Sequence, residues 1–219
     1  MLEIVEKYVT ISGEAPIIGK PIYLIRFSGC NLSCVYCDTS IKEQVNIVLT
    51  EQDLRKEIVH TVKKNPKLAI LFTGGEPLLE KRHNILLKII KSLSASSFYI
   101  ETNGSIPLLD LDLPNCHYVV DWKTPSAGNK TGFALENLDK LRPEKDCLKL
   151  VVQPSDLKWI KNIINKILGI NPLLSIFLSP QWGKMDLAEL ATYIIKNHLP
   201  VSMSIQLHKI IWGSKQRGM

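Results

Sequence analysis

Three cysteines, Cys30, Cys34 and Cys37, lie within eight residues at the spacing C-x3-C-x2-C. Thiolates are soft ligands that suit zinc, Cu(I) or iron–sulfur clusters. A closed structural zinc site requires four ligands, and a stable 4Fe–4S cluster usually has four cysteines. We therefore expect the three thiols to bind three irons of a cluster and to leave the fourth iron open to a ligand that is not protein.

The alternative interpretation of this triplet is a zinc site completed by a distant residue such as His208 or Cys116. Zinc sites usually present paired Cys-x2-Cys halves, so the spacing favours the cluster. Cys116 and Cys147 each stand alone in the sequence and are predicted to be buried thiols.

Composition indicates one medium-sized domain over residues 1–219, with a hydrophobic fraction of 45%. No apolar run approaches the roughly 20 residues of a membrane span, and the acidic N-terminus lacks a signal-peptide pattern, which predicts a cytoplasmic protein. A solvated lysine surface is the favoured explanation of the net charge of +6, and attraction to anionic small molecules is the alternative. Without a basic block or a recognised motif, we expect no nucleic-acid binding.

Apolar runs alternate with amphipathic helical patterns along most of the chain, which is typical of parallel βαβ units. Thr50 is predicted to cap the first helix and Ser155 a later one. About six mainly parallel strands are too few for a closed eight-stranded barrel, so we expect an α/β fold that is a partial, open βα barrel. The predicted strands are Ile22–Phe27, Leu68–Thr73, Phe98–Thr102, His117–Trp122, Leu148–Gln153, Leu174–Leu178 and Val201–Leu207, with a short extra strand at Val45–Leu49.

The unusual residues cluster where these predicted strands end. The cysteine loop follows Phe27, a Gly-Gly-Glu-Pro turn follows Thr73, and Glu-Thr-Asn-Gly follows Ile100. Since ligands bind beyond the carboxyl ends of parallel strands, this pattern indicates an enzyme. S-adenosylmethionine can offer its amino and carboxylate groups to an open iron, and reduction of its sulfonium then gives methionine and a 5′-deoxyadenosyl radical, with the protein supplying orientation and exclusion of water.

The cysteine loop followed by Thr-Gly-Gly-Glu-Pro resembles the radical S-adenosylmethionine superfamily. Within it, the chain from about Ile11 to its C-terminus is similar to the 7-carboxy-7-deazaguanine synthase family. The motifs that carry this narrower resemblance are Ile11–Glu14, Arg26, Cys37-Asp38-Thr39, Glu101–Gly104, Asp121–Ser126 and Gln206–Gly213.

The resemblance implies a carbon–nitrogen lyase of 7-deazapurine (queuosine) biosynthesis that converts 6-carboxy-5,6,7,8-tetrahydropterin to 7-carboxy-7-deazaguanine with loss of ammonia. It also implies a 4Fe–4S cluster, S-adenosylmethionine and Mg²⁺ as cofactors, an electron donor such as flavodoxin or ferredoxin, and a homodimer. The cofactor radical performs the chemistry, so no side chain is assigned as catalytic.

The resemblance also assigns roles by position. The cluster ligands are Cys30, Cys34 and Cys37, and Thr39 is the Mg²⁺ ligand. The expected cofactor contacts are Tyr36, Cys37, Asp38, Gly75, Glu76, Glu101, Asn103, Asp121, Trp122, Lys123, Ser179 and Gln181. The expected substrate contacts are Ile11, Ser12, Gly13, Glu14, Arg26, Thr73, His208 and the C-terminal carboxylate of Met219.

Arg26 suits a substrate carboxylate because a guanidinium offers a bidentate fork. Ser12 stands where the family usually has glutamine, and Trp122 departs from the common Ser-Pro-Lys or Asp-Ile-Lys run, so both affect substrate contacts more than the cluster. Two alternatives remain at this point: an activase that installs a glycyl radical on a partner protein, and a zinc-stabilised binding module.

Overall fold

Nine strands form one sheet in the computed structural model, which describes residues 1–37, 43–108, 113–129 and 132–213. The order across the sheet is β3-β1-β2-β4-β5-β6-β7-β8-β9. Their bounds are β1 Leu2–Ile11, β2 Pro21–Phe27, β3 Ile47–Leu49, β4 Ala69–Gly74, β5 Phe98–Thr102, β6 Cys116–Asp121, β7 Cys147–Val152, β8 Ser175–Pro180 and β9 Ser202–Met203.

Seven of these strands, β2 and β4 to β9, run parallel, whereas β1 pairs antiparallel with β2 and β3. Among the described residues, the two edge strands do not pair with each other, so the sheet stays open. The prediction of an open α/β fold with mainly parallel strands is confirmed. The helices are α1 Glu51–Lys64, α2 Glu80–Ser92, α3 Asn137–Lys140, α4 Leu157–Ile170, α5 Leu187–Lys196 and α6 Leu207–Trp212.

Two strand predictions need correction. The ten-residue strand β1 was not predicted, because a bulge between Ile4 and Glu6 interrupts its alternation and most of its second half is only partly buried. The predicted strand over residues 201–207 is wrong beyond Met203. There the Ser204 N–H still donates to Leu178 O (2.8 Å), but the Leu207 N–H donates to Gly13 O (2.8 Å) and α6 begins.

The parallel strands divide their side chains between two faces, as a period of two requires. One face packs against the helices around the aromatic rings of Phe27, Phe72 and Phe98, whose successive centroids lie 5.7 and 5.5 Å apart. The concave face carries a smaller apolar cluster made of Ile17, Ile22, Leu24, Ala69 and Leu71. Further along the strands, the concave face becomes polar.

The predicted N-cap of α1 is confirmed, since Thr50 Oγ1 accepts the Asp53 N–H at 3.1 Å. The predicted cap at Ser155 is wrong. A 3₁₀ turn at Pro154–Asp156 precedes α4, and Gln153 and Asp156 form a reciprocal capping box there. In the described part of the chain, no helix combines the length and the apolar character needed to cross a membrane.

Replacing Thr50 by alanine removes an N-cap, and we expect it to lower the free energy of unfolding by about 1 kcal/mol. Ser155→Ala is the matched control and should change it by less than about 0.5 kcal/mol. Urea unfolding of both variants measures the difference. Equal destabilisation by the two substitutions would contradict the capping assignment.

Candidate active site

A cavity of about 610 Å³ opens on the concave face of the sheet, at the carboxyl ends of the parallel strands. Inward-facing residues at neighbouring positions form its wall, because Arg26 pairs with Thr73 across β2 and β4, and Asp121 pairs with Lys149 across β6 and β7. The cysteine loop lies at the same cavity, as do residues from the 12–14 loop and from α6. The sheet thus gathers side chains that are far apart in the sequence.

Most of the residues assigned from the sequence line this one cavity. They are Ser12, Gly13, Glu14, Arg26, Cys30, Cys34, Tyr36, Cys37, Thr73, Gly75, Glu101, Asn103, Asp121, Lys123, Gln181 and His208. Four assigned residues do not line it, namely Ile11, Glu76, Trp122 and Ser179. The assigned residues Asp38, Thr39 and Met219 lie outside the described residues.

The three loop cysteines are free thiols that are at least partly exposed, whereas Cys116 and Cys147 are buried, as predicted. N–H groups surround two of the loop sulfurs. Cys30 Sγ is 3.4 Å from the Leu32 amide and 3.8 Å from Asn103 Nδ2. Cys34 Sγ is 3.0 Å from Asn129 Nδ2. In the ranges that the structure describes, no three His, Cys, Asp or Glu side chains are gathered closely enough to hold a single metal ion.

The Gly-Gly-Glu turn packs directly on the backbone that leads into the cysteine loop. The Gly75 N–H donates to Phe27 O (3.0 Å) and the Glu76 N–H donates to Gly29 O (2.9 Å). A Cβ at Gly74 would overlap the Phe27 backbone, and a Cβ at Gly75 would overlap the Gly29 carbonyl. Gly74 also has φ of 137°, a conformation that side chains other than hydrogen disfavour. Glycine is therefore required for the close approach of these two loops.

Glu76 does not line the cavity, but its side chain stabilises the neighbouring backbone. Its carboxylate is fully buried and accepts hydrogen bonds from the Leu78 N–H, the Asn103 N–H and the Thr102 hydroxyl, at 2.8–2.9 Å. Burial raises the pKa of this carboxyl, and the three donors oppose that rise. The structure therefore places the Glu76 side chain where it fixes the end of β5.

Arg82 supports the same two loops from α2. Its buried guanidinium donates to Glu76 O (3.0 Å) and to Ser28 O, and it lies 5.4 Å from the centroid of the Phe27 ring. A buried cation held by carbonyl oxygens and an aromatic face fixes backbone positions without entering the cavity. Sequence reasoning did not identify it, because an arginine in an amphipathic helix usually faces solvent.

Buried charges form a network in the cavity that links four elements. Lys149 Nζ is 2.6 Å from Glu14 Oε2 and 3.7 Å from Asp121 Oδ2. Asp121 Oδ2 also pairs with Lys123 Nζ at 2.8 Å, while Gln206 Nε2 donates to Glu14 Oε1 at 2.9 Å. Neither Lys149 nor Gln206 was predicted as a site residue, although a lysine within a buried apolar strand and the position of Gln206 at the start of a family motif were usable signals.

The Glu101 carboxyl group interacts electrostatically with Lys149 and Glu14 of this network. It accepts the Thr73 hydroxyl at 2.9 Å, and burial raises its pKa. The ammonium of Lys149 lowers that pKa and so offsets part of the rise, whereas Glu14 adds to it. For Lys149, burial by itself lowers the pKa, but Glu14 and Asp121 raise it well above the usual value, so this lysine stays protonated.

Another part of the cavity wall is formed by β2, the 12–14 loop and α6. Arg26 Nε pairs with Glu6 Oε1 at 2.7 Å across the β1–β2 ladder. The His208 ring packs so closely on Gly13 that a Cβ there would overlap it. Since α6 begins where Leu207 bonds to Gly13, residues from the two ends of the chain share this wall.

Three of the assigned residues do not line the cavity, namely Trp122, Ser179 and Ile11. Trp122 is buried and stacks on Phe133 with ring centroids 4.1 Å apart, outside the main cavity. Ser179 is 1% exposed within β8, and Ile11 is the last residue of β1.

Asn103 and Tyr36 line the cavity but already have protein partners. Asn103 Nδ2 donates to Asn31 Oδ1 at 2.9 Å, so its amide orients the cysteine loop. The Tyr36 hydroxyl is 3.4 Å from Thr124 Oγ1, and burial, aided by Asp121, raises its pKa to about 12.

Comparison with known proteins agrees with this geometry. The profile of the Radical SAM superfamily matches residues 24–114. A 7-carboxy-7-deazaguanine synthase from Clostridium acetobutylicum is 34% identical over 99% of both chains. The chain belongs to the 7-carboxy-7-deazaguanine synthase family. Another synthase, from Chlorobaculum tepidum, is also 34% identical and covers all of this chain and 97% of its own.

A crystal structure of QueE from Escherichia coli has the same fold, with a TM-score of 0.67 over 94% of both chains and 19% sequence identity. The curated synthases support this family over a glycyl-radical activase or a zinc-stabilised module. Membership in the radical SAM superfamily implies a 4Fe–4S cluster and S-adenosylmethionine. The donor set suits that pair, since three free thiols, two of them beside N–H groups, lie at a cavity large enough for a nucleotide.

We expect Gly75→Ala to prevent stable cluster assembly, because the added methyl group overlaps the Gly29 carbonyl and moves the cysteine loop. Iron and sulfide per chain after anaerobic reconstitution measure the effect. Gly169→Ala is the matched control, since a Cβ at this helical glycine meets nothing within 4 Å. Full iron content in the Gly75 variant would contradict the steric argument.

We expect Lys149→Met to lower the free energy of unfolding by about 3–5 kcal/mol at pH 7, because it leaves the carboxylates of Glu14 and Asp121, which are only 15% and 14% exposed, without their cation. Loss of Lys149 raises the pKa of Glu101 further. The loss of folding free energy that comes from the raised pKa of Glu101 is therefore present at neutral pH. It disappears as the pH falls below 4.5, the ordinary pKa of glutamate, because Glu101 is then protonated in both the folded and the unfolded protein.

Denaturant unfolding of the unchanged and Lys149→Met proteins between pH 7 and pH 4 measures this dependence. The difference between them should narrow as the pH falls. Lys166→Met, on the exposed face of α4, should remain within about 0.5 kcal/mol of the unchanged protein. A constant difference across the pH range would contradict the electrostatic role of Lys149.

Proposed function

We propose that this protein converts 6-carboxy-5,6,7,8-tetrahydropterin to 7-carboxy-7-deazaguanine with loss of ammonia, as a step of 7-deazapurine biosynthesis such as the queuosine pathway. The observation that carries the proposal is one cavity that joins the three-cysteine loop to Arg26 and to the carboxylate of Glu14. Its volume of about 610 Å³ lies within the usual range of ligand pockets. The printed names of the curated relatives support the same reaction.

The cluster is held by Cys30, Cys34 and Cys37, which leave one iron for S-adenosylmethionine. When bound, this pair of cofactors supplies a 5′-deoxyadenosyl radical that removes a hydrogen atom from C6 of the substrate and later returns it. Asp121, Lys123 and Gln181 line the cavity and contact the nucleotide. The polypeptide's part is to orient the two molecules and to exclude water.

Arg26 binds the substrate carboxylate through its guanidinium fork, which its ion pair with Glu6 helps to orient. Glu14 accepts N–H groups from the 2-amino-4-oxopyrimidine edge of the pterin. An ionised carboxylate has about four acceptor sites, so Glu14 retains capacity beyond its bonds to Lys149 and Gln206. His208 and Gly13 border the ring.

The proposal includes features that follow from the family resemblance. Thr39 ligates Mg²⁺, the carboxylate of Met219 reaches the substrate, and Asp38 contacts S-adenosylmethionine. The protein is a cytoplasmic homodimer that receives electrons from flavodoxin or ferredoxin. Residues 1–219 form one domain, which the single nine-stranded sheet of the described residues supports.

Anaerobic incubation of the reconstituted protein with carboxytetrahydropterin, S-adenosylmethionine, Mg²⁺ and dithionite tests the reaction. We expect ammonia and the deazaguanine acid in equal amounts, and we expect none from Cys34→Ala. Formation of 5′-deoxyadenosine without either product would refute the proposed substrate while leaving the cofactor assignment intact.

The same assay tests Arg26. We expect Arg26→Gln to reduce kcat/KM about ten- to hundredfold, mainly through KM, since a charge-assisted hydrogen bond contributes ~1.5–3 kcal/mol. Arg26→Lys keeps the positive charge but lacks the bidentate guanidinium, so its kcat/KM should lie between those of the unchanged enzyme and Arg26→Gln. Arg55→Gln, at an exposed position on α1, is the control and should match the unchanged enzyme. A normal KM in Arg26→Gln would remove Arg26 from the substrate site.

A further inference from the structure

Asn129 contacts the cysteine loop with both ends of its side-chain amide. Its Nδ2 donates to Cys34 Sγ at 3.0 Å, and its Oδ1 accepts the Ser33 N–H at 3.2 Å. The two bonds together fix the direction in which the amide N–H points. The sequence analysis assigned no role to this residue.

The segment that carries Asn129 is itself anchored. The Val35 N–H donates to Ala127 O at 3.0 Å, within the 3₁₀ turn Pro125–Ala127. Ser126 donates from its backbone N–H and its hydroxyl to the buried carboxylate of Asp156, at 3.1 and 2.6 Å. Gly128 then adopts the left-handed conformation, with φ of 69°. Asn129 thus follows a segment that backbone and side-chain bonds hold against the cysteine loop.

An N–H group that points at a cysteine sulfur changes the electronics of an iron–sulfur cluster. Reduction adds negative charge, which spreads onto the cysteine sulfurs, and a donor stabilises that charge. The reduction potential of the cluster is therefore higher with the hydrogen bond than without it. A neutral amide supplies this effect at every pH at which the protein is folded.

We propose that Asn129 is a positioning residue that orients Cys34 and raises the reduction potential of the cluster through its N–H···S bond. The step affected is the uptake of one electron, from the [4Fe–4S]²⁺ to the [4Fe–4S]⁺ state, from a low-potential one-electron reductant, and it neither forms nor breaks a bond. The inference rests on the ligand role of Cys34 in the proposed function.

Asn129→Asp keeps the shape and the oxygen that accepts the Ser33 N–H but lacks the donor to Cys34. Because aspartate also adds a negative charge, its shift is compared with that of Asn129→Ala, which removes the donor without adding charge. We expect normal iron and sulfide content with a midpoint potential shifted to more negative values. A dithionite titration of the reconstituted full-length protein, followed by the electron paramagnetic resonance signal of the reduced cluster, measures it. Asn84→Asp, at an exposed position on α2, is the control and should leave the potential unchanged.

An unshifted midpoint potential in an Asn129→Asp protein with normal iron and sulfide content would overturn the inference and leave the proposed function unaffected. A cluster-free unchanged protein would overturn both. Asn129→Ala, which removes both amide bonds, should also shift the potential downwards. If neither variant keeps its cluster, the unchanged protein still tests the inference: Fe–S(Cys) stretching bands that do not shift in D₂O would overturn it.

Discussion

The site depends on the close approach of two backbone loops. The turn at Gly74–Glu76 and the entry to the cysteine loop at Phe27–Gly29 touch through two N–H···O bonds, at distances that leave no room for a Cβ. Glu76 then bonds to the next loop, at Thr102 and Asn103, and Asn103 bonds to Asn31. Three successive strand ends are therefore fixed relative to one another by hydrogen bonds of the main chain and of one buried carboxylate.

A second constraint is electrostatic. The concave face of the sheet buries several charged side chains, and such charges are tolerated only when they are paired. Lys149 meets this requirement between Glu14 and Asp121, from three different elements of the chain. The same arrangement holds both carboxylates in fixed directions, which a site for a polar heterocycle requires.

The regular part of the fold follows from patterns that the sequence displays. Continuous apolar runs such as Leu68–Thr73 are recovered as buried parallel strands, and Thr50 caps α1 because its hydroxyl is placed before an amphipathic run. Strand β1 could not be predicted in this way. A bulge interrupts the alternation of its apolar and polar residues, and its pairing with β2 identifies it as a strand. Likewise, α6 forms where the chain leaves the sheet to contact Gly13, a contact between distant segments that no local pattern encodes.

Residues of the site could be predicted from the sequence where a motif directly follows a strand. Arg26, Glu101 and Asp121 all face the cavity because they occupy inward positions at strand ends. Arg82 and Asn129 act through other residues and belong to no sequence motif. Their partners can be identified only from the three-dimensional structure.

The two edges of the sheet are strands of three residues, β3, and two residues, β9. Unpaired strand edges are templates on which other chains can add and aggregate, and a very short edge offers few exposed amide and carbonyl groups. The long parallel strands, with their continuous apolar sequences, all lie inside these edges. A sheet of nine strands is thereby protected against edge-to-edge polymerisation without closing into a barrel, and its concave face remains open for a ligand to enter.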